Sequence, residues 1–144
     1  MAEDLASIAI HRVNRGDDHL FRSILPEVFD HLVEPDKLDA HLASHTHFLA
    51  VAMDGDTMVA MVMANLHLHP DKPNELYIDE LGTNPDYRNR GIGTRLMKEA
   101  VTWGREHGCT SCWLGTETDN VEAQAVYRKW QPNPEEILMF EFDL

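Results

Sequence analysis

Tyr87-Arg88-Asn89-Arg90-Gly91-Ile92-Gly93-Thr94 is the stretch on which the reading of this chain turns. It joins a strand-like run, Glu75–Thr83, to a helix-period run with apolar residues at Ile92, Leu96, Ala100, Val101 and Trp103. Asn84-Pro85-Asp86 supplies the turn between them. Two glycines one residue apart let a backbone come close to a ligand, and the start of a helix turns N–H groups and a partial positive charge towards it. Arg88 and Arg90 add charge-assisted donors that suit phosphate. The expected guest is therefore an anion. A GxxxxGK[ST] loop is missing, and Gly91-x-Gly93 lacks the third glycine of a dinucleotide fingerprint, so nucleoside triphosphates and NAD fit poorly.

Working outward, Ser7–Val13 alternates as a first strand, and Asp17 and Asp18 cap a helical stretch through Phe21, Ile24 and Leu25 that Pro26 interrupts. Glu34-Pro35-Asp36 opens a second short helix carrying Leu38, Leu42 and Ala43. Phe48–Met53 and Thr57–His67 read as a hairpin through Asp54-Gly55-Asp56. A Pro-containing linker, His69–Asn74, precedes Glu75–Thr83, and Gly108 ends the helix that follows the arginine–glycine stretch. Ser111–Thr116 is then expected as a strand, Asn120–Trp130 as a helix, and Ile137–Phe142 as a final strand with alternating faces. Hairpins in the first half and strand–helix–strand units in the second predict an α/β fold with a mixed, mostly antiparallel central sheet and helices on both faces. With 144 residues, 43% of them apolar, and no repeat or interdomain linker, a single domain over 1–144 is expected.

Twelve Lys plus Arg against 25 Asp plus Glu give a formal net charge of −13. Such a field repels nucleic acid and attracts cations, so amine substrates suit this protein and DNA does not. The uncharged run Leu5–Ile10 is too short for a signal-peptide core or a membrane span, which predicts an untargeted protein with no membrane partner. Cys109 and Cys112 have no second pair to complete a zinc site and read as ordinary thiols of a reduced, cytoplasmic protein. His45-x-His47 and His67-x-His69 lack acidic or Cys partners at fixed spacing, and no metal is expected.

The block Leu81-Gly82-Thr83-Asn84-Pro85-Asp86-Tyr87-Arg88-Asn89-Arg90-Gly91-Ile92-Gly93 resembles the acetyl-CoA motif of the GNAT superfamily, Arg/Gln-x-x-Gly-x-Gly/Ala after a strand and a turn. Asp119-Asn120-Val121-Glu122-Ala123-Gln124-Ala125-Val126-Tyr127 is similar to the family's next landmark, an Asn with small residues and a helix-borne Tyr. Glu75–Leu81 and the acidic, apolar ending Glu135–Asp143 further resemble aminoglycoside 3-N-acetyltransferases of the gentamicin and fortimicin type. One departure is Tyr127-Arg128-Lys129-Trp130-Gln131-Pro132, which has no glycine where many relatives turn. The resemblance implies an N-acetyltransferase with acetyl-CoA as cosubstrate, held by Leu81, Thr83, Arg88, Asn89, Arg90, Gly91, Ile92, Gly93, Thr94 and Asn120. It also implies a homodimer paired through C-terminal strands.

An acceptor amine is mostly ammonium at neutral pH and must lose a proton before attacking a thioester. Asp79 and Glu80 are the candidate bases. Successive strand residues point to opposite faces, so only one is expected to face the acceptor unless a bulge intervenes. By resemblance Glu80 matches the acidic residue of the aminoglycoside enzymes, and Tyr127 matches the family's general acid. A backbone N–H where the strand splays from its neighbour is placed to meet negative charge on the thioester oxygen. The acceptor is expected to be a small-molecule primary amine, an aminoglycoside among the candidates. The alternatives are a protein N-terminus or lysine, and a noncatalytic acyl-CoA sensor, which the presence of both Glu80 and Tyr127 disfavours.

Overall fold

The structure, a computed structural model, describes residues 7–144, so Leu5 and Ala6 of the uncharged run lie outside it. Two compact units make up the chain, one up to Leu114 and one from Gly115 to Leu144. The first contains β1 (Ile8–Arg12), α1 (Pro35–Ala43), β2 (His47–Asp54), β3 (Thr57–His67), β4 (Glu75–Thr83), α2 (Ile92–Glu106) and β5 (Ser111–Trp113). The five strands stand in the order β1-β2-β3-β4-β5, antiparallel except for the parallel β4–β5 pair.

The sheet's two faces follow from strand periodicity. On one face Leu49, Val51, Met53, Met58 and Met61 form a core with Val13, Leu20 and Val28, against which Leu38 and Leu42 of α1 pack. On the other, Phe48 stacks on Trp103 of α2 with ring centroids 5.0 Å apart, and Gly104 leaves room for the Leu76 side chain. Ile92, Leu96, Met97, Ala100 and Trp103 are buried, as the apolar stripe predicts. Burying such side chains contributes about 1.5–3 kcal/mol each.

Several expectations are corrected. The helical stretch after Asp17 is only a 3₁₀ turn, Asp18–Phe21. Downstream of it the Leu25 N–H bonds the Met58 carbonyl (3.0 Å) and the Met58 N–H bonds the Ser23 carbonyl (2.8 Å), so these backbone groups serve the edge of β3 and not a helix. The strand from Ser111 ends at Trp113, short of Thr116, because it pairs with β4 for only three residues. Ile137–Phe142 is not a strand: residues 131–144 have no regular structure, and no ladder partner exists for them among the described residues. Without a neighbouring strand a strand-like apolar run has no ladder for its N–H and C=O groups.

The second unit holds α3 (Val121–Tyr127) and a 3₁₀ turn, Arg128–Trp130, where one helix over Asn120–Trp130 is expected. The Asn120 side chain accepts from the Ala123 N–H at 3.2 Å and caps α3. Gln131, at φ 53°, ends this turn in the left-handed conformation.

Gly82 of β4 lies against the loop before α1: a Cβ there would sit 2.2 Å from the Val28 carbonyl oxygen. Gly82→Ala should therefore lower stability by about 2–3 kcal/mol, through forced separation of β4 and this loop. Equilibrium urea unfolding checks it, and an unchanged midpoint would show that the loop yields freely.

Candidate active site

The site is built on β4. Its outer edge pairs with β5 only over Glu75–Tyr77, so among the described residues no strand accompanies that edge from Ile78 to Thr83. On its other side the register with β3 shifts: Met63 stands opposite Glu80 and Ala64 opposite Ile78, leaving Asp79 as an extra residue. This β-bulge overturns the alternation expected of Asp79 and Glu80. Glu80 shares the face of its partner Met63, which packs towards the α1-side core. Asp79 is on that face too, because Asn65 Nδ2 donates to Asp79 Oδ2 at 3.0 Å and Asn65 pairs with His47 and Tyr77. Both carboxylates thus face the same side.

Their surroundings differ. Burial, first, and then the Asp30 carboxyl, which hydrogen-bonds Glu80, push the Glu80 pKa above its ordinary 4.5; Asp79 adds to the rise and His31 opposes it. Burial also raises Asp79, against the lowering effects of His47, His67 and the Asn65 bond. Asp30 and His31 escape the sequence reading because they stand in an irregular stretch after Pro26, with no periodicity to aim them.

The arginine–glycine stretch lies at the far end of β4. Asn84, 6% exposed, caps the turn through the Asp86 N–H and donates Nδ2 to the Pro26 carbonyl at 3.0 Å. Arg88 Nε donates to the Thr83 carbonyl at 3.2 Å, and its terminal nitrogen lies 3.8 Å from Glu27 Oε2. Arg90 lies over the Tyr87 ring at 4.9 Å, and the Tyr87 hydroxyl donates to Asp54 at 2.6 Å. Asn89 takes φ 60° and Gly91 φ 77°. Gly91 is the N-cap of α2 and gives it no side-chain cap; a Cβ at Gly91 would meet nothing within 4 Å. The side chain of Ile92 is buried in the core, so only its backbone faces the helix entrance, followed by Gly93 and Thr94. Open space at a helix start flanked by two guanidinium groups suits a polyphosphate.

Asn120 and Tyr127 lie in the second unit. Burial and then the Glu117 carboxylate raise the Tyr127 pKa, so the phenol holds its proton. Among the described residues no three His, Cys, Asp or Glu gather as metal ligands, and no helix is long and apolar enough to cross a membrane.

With this geometry in hand, comparison with known proteins gives the class. The chain belongs to the acetyltransferase (GNAT) family, whose model matches residues 18–131. It is an N-acetyltransferase with acetyl-CoA as its cosubstrate. It is 30% identical over 131 residues to the N-alpha-acetyltransferase RimI of Mycobacterium tuberculosis, covering 89% of this chain and 80% of that one. Other curated relatives are longer proteins, of which this chain spans 21% to 39%. Among solved structures it is similar in fold to an aminoglycoside acetyltransferase, meta-AAC0020, from an uncultured soil metagenomic sample (TM-score 0.82, 18% identity, 96% of this chain and 97% of that). It is similar also to AAC(6')-Iy in complex with a CoA-containing bisubstrate analogue (TM-score 0.77, 17% identity, 95% and 98%).

Acetyl-CoA at saturating concentration should raise the melting temperature of the protein, and ATP and NAD should not. Gly91→Val forces a β-branched residue into the left-handed region and closes the open space at the helix entrance, so the acetyl-CoA-induced shift should be lost. Thermal unfolding with each ligand checks both; an undiminished shift in Gly91→Val would remove Gly91 from the phosphate site.

Proposed function

We propose that this acetyltransferase acts on a primary amine of a small molecule, with aminoglycosides among the candidate acceptors, and that Glu80 is the base. The observation that carries the reading is the bulge, which sets Glu80 and Asp79 on one face beside the unpaired edge of β4. Two carboxylates there attract an ammonium, and a pKa raised by burial and by the Asp30 carboxyl makes Glu80 a better proton acceptor. In this scheme Glu80 takes a proton from the ammonium. The freed nitrogen forms a bond to the acetyl carbon, the C–S bond breaks as Tyr127 gives its proton to the leaving thiolate, and the second proton, shed by the acetylated nitrogen, restores the phenol. The backbone of Leu81 and Thr83 lies along the edge open to the pantetheine arm. Arg88, Asn89, Arg90, Gly91, Ile92, Gly93 and Thr94 take the phosphates, and Asn120 is assigned to the arm by the resemblance. The family match runs across both units, which supports a single functional domain over 1–144. A cytoplasmic location is part of the same reading. The second reading, acetylation of a protein N-terminus, draws on the similarity to RimI.

The protein is further proposed to be a homodimer joined through its C-terminal segment. Ile137, Leu138, Met139, Phe140 and Phe142 are 71–84% exposed, an apolar run that association would cover. Light scattering at micromolar concentration should give twice 16.4 kDa; the single-chain mass alone would end the proposal.

A thiol-release assay with acetyl-CoA across monoamines, aminoglycosides and peptides with free N-termini tests the acceptor class. Glu80→Gln should keep acetyl-CoA affinity and lower turnover about 10²–10⁴-fold at neutral pH, with the deficit shrinking as alkali supplies free amine. A near-parental rate would pass the role to Asp79 or to water. The raised pKa also fixes a sign for stability. The folded state holds the Glu80 proton more tightly than the unfolded state, so its contribution is full below about pH 4.5 and is lost as pH rises through the raised value. Glu80→Gln should remove that loss, as urea unfolding across pH 4–7 would show.

A further inference from the structure

Beyond the bulge, towards the start of β4, the same sheet face carries side chains that neither the core nor the transfer chemistry uses. His47, Asn65, Tyr77 and Trp113 stand in direct register across β2, β3, β4 and β5, so they share one face in one row. The row is not a continuation of the core, because Trp113 is 43% exposed on an edge strand of three residues. Its rings nevertheless gather: Tyr77 and Trp113 have centroids 4.3 Å apart, and His67 stands 5.3 Å from Tyr77 and 5.2 Å from Trp113. Asp79 closes the group through its bond from Asn65. Among the described residues no lysine or arginine pairs with Asp79, whereas the neighbouring Glu75 is engaged by Lys72 and His69. Asn65 Oδ1 is buried without a hydrogen-bond partner. Aromatic faces, a carboxylate and an unused acceptor are the complement of an organic ammonium ion.

We propose that Tyr77, Trp113, His67 and Asp79 seat a second protonated amine of the acceptor, so that the enzyme prefers organic dications to single amines and to peptide N-termini. The inference rests on the reading of the site as an amine acetyltransferase and names the kind of amine. Glu80 and Tyr77 are three residues apart on one strand face, which separates the reacting and the seated nitrogens by roughly 7–10 Å at the usual rise per residue. A monoamine reaches the base and leaves the seat empty. A peptide N-terminus brings its charge to the base and offers the rings nothing specific.

The test compares cadaverine, which has two amines, with n-pentylamine, which has one on a chain of the same length. In the parent, kcat/KM for cadaverine should exceed that for n-pentylamine by about tenfold or more, the scale of one desolvated cation–ring contact with a carboxylate behind it. Trp113→Ala should collapse the ratio towards one, and Trp113→Phe should restore part of it. Asp79→Asn, which keeps the rings, should also lower it. Calorimetric titration of cadaverine into the protein without acetyl-CoA reads the seat independently of turnover, with binding in the parent that Trp113→Ala loses. If no amine is acetylated but cadaverine still binds through Trp113, the acceptor reading falls and the seat stands. Equal ratios in parent and Trp113→Ala, or cadaverine binding indifferent to Trp113, overturn the seat.

Discussion

The extra residue at Asp79 is the constraint on which the site depends. A regular strand would send Asp79 and Glu80 to opposite faces, one into the space under α2 and one towards α1. With Met63 opposite Glu80 and Ala64 opposite Ile78, the backbone has one residue more than its partner and both carboxylates emerge together. A bulge also sharpens local twist, and β4 stops accompanying β5 just before it, after Tyr77. One irregularity in the ladder thus coincides with two features of β4, an edge that no strand among the described residues covers and a concentration of acid beside it.

Electrostatics divide the molecule along the same strand. A chain of net charge −13 spends few cations, yet Arg88 and Arg90 fall three residues or fewer from Gly91. The other end of the site is left to Asp30, Asp79 and Glu80. Burial makes Asp79 and Glu80 costly to ionise, which holds their proton affinity above the ordinary carboxylate range. An anionic cosubstrate and a cationic acceptor therefore meet opposite potentials along β4.

Much of this was legible in the residues and some of it was not, for definable reasons. The β2–β3 hairpin, the Pro35 helix start and the buried stripe of α2 are local patterns, and local patterns predict local structure. The arginine–glycine stretch was readable because chemistry and position coincide in consecutive residues. The face shared by Asp79 and Glu80 was not, since a bulge depends on how the partner strand aligns, and that alignment is set far along the chain. Asp30 and His31 come to Glu80 from an aperiodic loop. Ile137–Phe142 is apolar enough to read as a strand, but a strand exists only where another edge receives it.

The loop that brings Asp30 is tied to the other end of the site by three separate contacts. Asn84 reaches the Pro26 carbonyl, Gly82 lies against Val28, and Arg88 stands 3.8 Å from Glu27. Glu27 itself has φ 67°, a conformation that a non-glycine residue keeps only under constraint. The segment that holds Asp30 beside Glu80 is thereby fastened both to β4 and to the turn that follows it. Asp30 stands three residues beyond Glu27, so the two ends of β4 share one short tether.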